Sequence, residues 1–350
     1  MAHVPWNQLL LCAVTPQTGP IGLRERVSVP GHAVGPLLQR LRESGRATEW
    51  LVLATCARTE VYAVTSEDAA SAIDDVIAGS FLVVCANSAS PRDWPVHASG
   101  VDAARHLLRV ATGIESLMLG DVQLLGQLRT AYAAARAQHA TGPLLNRLCQ
   151  AALHAGKRAR AETGIATGAA SLAAAAVRLV ITRAGGMNGR RVLIIGGGQM
   201  GRAIGKALSR QPCESVTVAT RDPAAFAAAG GTRHACAVAS ENVPRLLHDA
   251  DVLFTASGAG TPLITRQLVR RAMAERATRP LLILDLAMPR EVDSGVTSVH
   301  GVVLVTLDTL ERAIEGAAQS RSDAIADVER IVDETLDRML AWSPSFERAA

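Results

Sequence analysis

The chain predicts an α/β protein in two halves with a helical tail: an N-terminal ferredoxin-like α/β domain, a Rossmann-type domain, and a C-terminal helix. Three observations carry this. Apolar strand-like runs alternate with helically spaced segments through about the first hundred residues. Gly196-Gly197-Gly198-Gln199-Met200-Gly201 follows a buried-strand pattern and opens a helical one, which is the context a dinucleotide turn requires. Near the end, Ile325, Val328, Ile331, Val332, Leu336 and Met339 recur at helical intervals. The boundaries read as 1–160, 161–300 and 301–350.

At 350 residues the chain is long enough for two domains, and 49% apolar content fits a globular protein. Aromatic residues make up only 3%, so the core must be built from Leu, Val, Ile and Ala. Lys157 and Lys206 are the only lysines, and the formal charge of +4 rests on arginines in an Ala-rich chain. Such compositional bias is no argument for nucleic-acid binding. Six cysteines occur without C-x-x-C spacing, which argues against a zinc site or a disulfide framework, and no metal is expected. The start lacks the basic segment of a secretory signal. The apolar run 168–177 ends at Arg178, short of the ~20 residues a spanning helix needs. A cytoplasmic protein with no membrane contact is expected.

Residues 9–14 read as a first strand, closed by the Pro/Gly loop 15–20. Helical spacing over 33–41 leads to two strand-like runs, 51–55 and 59–64, that flank Cys56-Ala57-Arg58. A helix near 69–77, a Pro/Ser-rich chain through Pro95 and a short strand at 94–98 complete a small sandwich, with Cys56 at its sheet edge. Cys56 there reads either as a buried structural thiol or as a nucleophile, with Arg58 lowering the thiol pKa or gripping a carboxylate. Asp102 is placed to cap a helix over 103–110 that carries His106. Ser116, Asp121, Gln123 and Gln127 read either as a polar pocket or as a solvated helix start. Long helices are expected over 128–183, where the basic cluster 154–160 is a solvated face or a phosphate contact.

In the second half, 191–195 is a buried strand. Gly196 permits the tight turn, Gly198 lets a pyrophosphate approach, and the helix N-terminus supplies N–H groups. The next strand, 215–219, ends in Thr220-Arg221, and Arg221 suits a 2′-phosphate, although Asp222 follows it. That points to NADP(H). Further strands are expected at 252–255, 281–285 and 302–305, then an amphipathic helix over 307–342 that packs on its own domain or on a partner.

With these pieces placed, the chain resembles the glutamyl-tRNA reductase family over nearly its whole length. The residues that carry the resemblance are 55–62 around Cys56, 106–110 around His106, 113–127, Gly156-Lys157-Arg158, 196–201, and Asp285-Leu286-Ala287-Met288-Pro289-Arg290. The resemblance implies that the Cys56 thiolate attacks the ester joining glutamate to tRNA, and that NADPH reduces the thioester to glutamate-1-semialdehyde, the precursor of 5-aminolevulinate and the tetrapyrroles (porphyrins). Cys56 and His106 are then catalytic. Thr55, Ala57, Arg58, Ser116, Asp121, Val122, Gln123 and Gln127 bind substrate, while Gly196, Gly197, Gly198, Gln199, Met200, Gly201, Thr220 and Arg221 bind NADPH. The implied partners are glutamyl-tRNA and the aminomutase that takes the semialdehyde, and the two halves must close on one another for hydride to reach Cys56.

The chain departs from the family pattern in four places. Ala57 replaces an Asn, Asp121-Val122-Gln123 replaces Glu-Pro-Gln, and the 15–20 loop lacks its usual histidine. The dimerisation bundle is shortened to the 307–342 helix, which implies a monomer or a weak homodimer through that helix. Two further readings follow: a non-catalytic or weakly active paralogue that binds tRNA or a partner as a regulator, and a generic dehydrogenase acting on a small acid.

Overall fold

The computed structural model describes residues 6–65, 70–85, 94–116, 119–166, 172–228, 230, 235–276, 279–315 and 322–341. They form two compact units, 1–169 with 318–350, and 170–317.

The first unit opens with β1 (Leu9–Val14), the short α1 (Ile21–Arg26), α2 (Val34–Glu43), β2 (Glu49–Ala54), β3 (Thr59–Val64), α3 (Ala70–Cys85) and β4 (Val96–Ser99). The strands lie in the order β2-β3-β1-β4 with every neighbour antiparallel, the ferredoxin-like arrangement. The first five residues of β2 and all six of β3 are buried, so both sheet faces are covered. That is why these strands read as continuous apolar runs rather than as an alternation. The outer edge of β2 is also covered: Glu49 accepts from the amides of Leu144 and Leu145 at 3.1 and 2.7 Å. Helix α3 outruns the expected 69–77 and continues to Cys85. Phe81, buried edge-to-face against Trp94 at 5.5 Å, supplies tertiary contact that the glycine and serine before it do not advertise.

Three long helices follow: α4 (Gly100–Thr112), α5 (Val122–Ala137) and α6 (Pro143–Glu162). Helix α4 begins earlier than expected, with Ser99 at the N-cap position. Asp102 therefore sits inside the first turn, where the helix dipole favours it, and is not the cap. A Cβ on Gly156 of α6 would meet the Ala111 carbonyl oxygen at 2.5 Å, so only glycine allows α4 and α6 to approach this closely.

The second unit contains α7 (Leu172–Ala184), β5 (Arg191–Ile195), α8 (Gln199–Leu208), β6 (Ser215–Thr220), α9 (Pro223–Ala228), β7 (Ala235–Ala239), α10 (Val243–Asp249), β8 (Val252–Thr255), α11 (Arg266–Ala274), β9 (Leu281–Asp285), β10 (Val302–Thr306) and α12 (Leu307–Glu315). All six strands are parallel in the order β7-β6-β5-β8-β9-β10, the doubly wound dinucleotide topology. Its direction of winding reverses between β5 and β8, and a ligand crevice belongs at their carboxyl ends.

The chain then returns to the first unit as α13 (Ser322–Leu340). The single helix expected over 307–342 is thus two helices that belong to different units; Trp342 lies outside the described residues. The apolar stripe of α13 (Val328, Ile331, Val332, Leu336, Met339) is buried against α4 and α6 of the same chain. Ion pairs Arg105–Asp333, Arg109–Glu329 and Arg158–Glu334 flank it. This face, expected to serve either its own domain or a partner, serves its own domain. Among the described residues no helix is long and apolar enough to cross a membrane.

Candidate active site

The connection between β2 and β3 is a tight turn built by Thr55. Its amide donates to the Arg58 carbonyl at 2.9 Å, and its hydroxyl accepts from the amides of Ala57 and Arg58 at 3.1 and 3.2 Å. A Ser/Thr hydroxyl bonding ahead in this way fixes the backbone and presents the two intervening residues. The first is Cys56, half-buried and in no disulfide. Ala57, standing where the resemblance places an Asn, leaves the turn intact because Thr55 and the backbone hold it.

Arg58 is turned inward. It is 3% exposed, donates from Nη1 to Glu60 Oε1 at 2.7 Å and bonds the Glu115 carbonyl through Nη2. The guanidinium expected to meet a substrate carboxylate is therefore engaged by the chain itself. Glu60, fully buried, also meets His106 Nε2 at 3.2 Å and accepts from the Tyr62 hydroxyl at 2.8 Å. Burial alone would raise its pKa, but the charges of His106 and Arg58 and the hydrogen bonds from His106 and Tyr62 hold it at about 2. Glu60, Tyr62 and Glu115 were not among the expected site residues. The available signal was a charged residue inside an otherwise apolar strand, which must find a partner.

Glu115 gathers further pieces. Its carbonyl also accepts from Gln17 Nε2 at 3.1 Å, which brings in the 15–20 loop, and its carboxylate pairs with Arg109 at 2.7 Å. The loop that carries it turns at Gly113 (φ 89°) and Gly120 (φ 78°), where a Cβ on Gly120 would lie 1.9 Å from the Ile165 carbonyl oxygen. Ser116 is buried in this loop; Leu117 and Met118 lie outside the described residues. Asp121 caps α5 by accepting from the Gln123 amide at 2.9 Å. Burial raises its pKa, opposed by that amide and by the charges of Arg160 and Arg58. Val122 opens α5, and Gln123 and Gln127, both half-buried, follow one turn apart on one face. Within the 154–160 cluster the basic residues divide. Arg158 pairs outward with Glu162 and Glu334, whereas Arg160 points in and donates to the carbonyls of Ala111, Gly156 and Asp121.

In the second unit, Gly196 has φ 116°, and a Cβ there would lie 2.5 Å from the Ala256 carbonyl oxygen. Gly201 packs so tightly that a Cβ would reach within 1.8 Å of the Gly196 carbonyl oxygen, and one on Gly197 would reach 2.7 Å from Thr220 Oγ1. Gly198 differs: nothing lies within 4 Å of its would-be Cβ, and no side chain caps α8, whose first residues are Gln199 and Met200. Open space over an uncapped helix N-terminus is what a pyrophosphate needs, so these residues fit a dinucleotide. Arg221 is exposed at the end of β6, while Asp222 caps α9 by accepting from the Ala225 amide at 2.8 Å. The carboxylate that competed with Arg221 for the ribose thus has a structural task.

The loops after β8 and β9 are tied by two buried acids. Asp285 accepts from the Thr255 hydroxyl at 2.6 Å and from the amides of Ala287, Glu291 and Val292, while Glu291 takes the Ser257 hydroxyl at 2.6 Å and the Ala259 amide at 2.8 Å. A cavity of about 450 Å³ lined by Arg266, Arg270, Arg279 and His300 lies at the amino ends of β9 and β10, the opposite end of the sheet from the glycine turn. It is therefore not the cofactor crevice.

Comparison with known proteins finds relatives along most of the chain. Residues 13–163 match the family described as Glutamyl-tRNAGlu reductase, N-terminal domain, and 178–313 match Shikimate / quinate 5-dehydrogenase. The glutamyl-tRNA reductase of Stenotrophomonas maltophilia is 34% identical over 324 residues, covering 93% of this chain and 74% of that protein. The chain belongs to the glutamyl-tRNA reductase family. A further glutamyl-tRNA reductase, from Xanthomonas oryzae, is 35% identical over 345 residues, covering 95% of this chain and 75% of that one. Among solved structures, the glutamyl-tRNA reductase of Methanopyrus kandleri is 30% identical over 95% of this chain and 79% of its own, with a TM-score of 0.49. Membership makes the chain an oxidoreductase of glutamyl-tRNA reductase type, with a dehydrogenase nucleotide-binding domain that follows the Cys56 domain in sequence.

Proposed function

We propose that this chain reduces glutamyl-tRNA to glutamate-1-semialdehyde through a thioester on Cys56, with NADPH as reductant, and so supplies tetrapyrrole synthesis. The observation that carries the reading is the Thr55–Arg58 turn, which holds Cys56 half-buried two residues before Arg58, whose guanidinium joins the buried Glu60 and, through it, the half-buried His106. The Cys56 sulfur bonds to the ester carbonyl carbon, the bond to the tRNA oxygen breaks, and that oxygen leaves with a proton. Glu60 engages Nε2 of His106 and fixes the ring, leaving Nδ1 as the atom that can hold or pass that proton. Arg58, spent on Glu60 and Glu115, acts as a positioning residue, and the amides of Gln123 and Gln127 face the glutamyl group. When bound, NADPH supplies a hydride equivalent to the thioester carbon. The Gly198 amide region and the start of α8 hold its pyrophosphate, and Arg221 its 2′-phosphate. Cleavage of the carbon–sulfur bond then regenerates the Cys56 thiolate and releases the aldehyde to a downstream aminomutase.

Incubation of the protein with glutamyl-tRNA and NADPH tests the reading. Wild type is expected to form semialdehyde and Cys56→Ser none; equal output from the two overturns it. Arg221→Ala is expected to raise the KM for NADPH about tenfold, the worth of one charge-assisted contact, and to leave the KM for NADH unchanged. Equal effects on both cofactors would remove Arg221 from the 2′-phosphate site. A second reading, a tRNA-binding regulator without efficient chemistry, draws on the inward-turned Arg58. Trapping of a glutamyl thioester on Cys56 in a single turnover rules it out.

A further inference from the structure

A second cluster of reactive side chains lies in the first unit and shares no residue with the Cys56 turn or the glycine turn. Cys12 of β1 and His97 of β4 are direct partners in the antiparallel register, so their side chains share one sheet face. Asp74 of α3 reaches the same place. The Cys12 sulfur is 3.5 Å from Asp74 Oδ1 and 3.7 Å from His97 Nδ1, and all three atoms lie within 4.8 Å of one another. They border a cavity of about 240 Å³ whose walls include Leu10, Leu11, Ile73 and Ser99.

We propose that Cys12, Asp74 and His97 form a three-ligand site for a divalent transition-metal ion of the zinc class. The spacing is the first argument. Metal–sulfur bonds of about 2.3 Å and metal–nitrogen or metal–oxygen bonds of about 2.0 Å, set at tetrahedral angles, place sulfur about 3.5 Å from each of the other two ligands. The two separations from the Cys12 sulfur, 3.5 and 3.7 Å, match that edge. The donor set is the second. A thiolate and an imidazole suit zinc, whereas magnesium and calcium call for oxygen ligands. Cys12 gives up its thiol proton to solvent when the metal–sulfur bond forms. Three protein ligands leave a fourth position for water, on the side of the cavity, and the exposed His97 gives the ion a way in. Once bound, the ion fastens α3 to β4, a four-residue edge strand that among the described residues otherwise pairs only with β1. The missing C-x-x-C spacing speaks to ligands close in sequence; here they are 62 and 85 positions apart and meet only through strand pairing and helix docking.

Cobalt(II) added to the full-length, metal-stripped protein provides the test. One equivalent per chain is expected to produce thiolate-to-cobalt charge transfer and the intense visible bands of a tetrahedral ion. The bands are expected to vanish in Cys12→Ser and in His97→Ala, and to persist in Cys56→Ser. His97 is exposed, so its substitution keeps the test valid even where Cys12→Ser folds poorly. Zinc is expected to raise the Tm of wild type and not that of His97→Ala. Absence of tetrahedral bands, bands that survive His97→Ala, or bands lost in Cys56→Ser would each overturn the assignment.

Discussion

Glu60 stands at about pKa 2 although burial works to raise it, because His106, Arg58 and Tyr62 all favour its charged form. A carboxyl whose folded pKa falls from 4.5 to about 2 adds stability that is fully present above pH 4.5 and is lost as pH drops toward 2. The size is on the order of 3 kcal/mol. Glu60→Gln is therefore expected to unfold at lower urea than wild type at pH 7, and the gap between the two should narrow steadily below pH 4.5. A gap that stays constant from pH 7 to pH 3 would contradict this account. The same residue shows what the sequence hides at this scale. Cys56 and its turn were legible, since two apolar runs flank them. The destination of Arg58 was not, because it depends on Glu60 lying two residues along the same strand face and on Glu115 arriving from a loop 57 positions away.

The elements follow the sequence where one physical signal dominates. Residues 9–14 and 191–195 are read correctly as strands because the first is a continuous apolar run and the second has four apolar residues in a row after Arg191. The C-terminal reach of α3 and the assignment of α12 and α13 to different units depend on packing partners, and periodicity alone misses them. The glycine turn offers a contrast within one element. Gly198→Ala meets nothing within 4 Å, whereas Gly201→Ala drives a methyl group into the Gly196 carbonyl. Gly198→Ala is expected to keep the wild-type Tm while raising the KM for the nicotinamide cofactor roughly tenfold, since its methyl enters the space proposed for the pyrophosphate. Gly201→Ala is expected to cost about 1–3 kcal/mol of stability through overpacking. Thermal melts of the two variants beside cofactor titrations check both, and a destabilised Gly198→Ala would show that its open space is not kept for a ligand.

At the scale of the molecule, the first unit is sealed by a helix that comes after the whole of the second. Val332 is fully buried in the α13 stripe, and Val332→Asp places an unpaired charge there at a cost of about 3 kcal/mol or more. Hydrogen exchange is expected to quicken in α4 and α6 and to stay unchanged in β5 and β8. Uniform loosening of both units would show that they unfold as one. The pairing of 1–169 with 318–350 was not legible, because the α13 stripe fits equally a partner chain or its own domain, and it is the packing on α4 and α6, flanked by the ion pairs of Glu329, Asp333 and Glu334, that selects the latter. This arrangement also sets a clock on the ribosome. Between the end of the first segment and its closing helix lie roughly 150 residues, which take about 8–30 s to synthesise. Throughout that interval the nascent chain carries the apolar surface of α4 and α6 without its cover, while the nucleotide-binding unit emerges complete. Chaperones that bind exposed apolar surface thus have their longest opportunity on the half that bears Cys56, before its closing helix has been made.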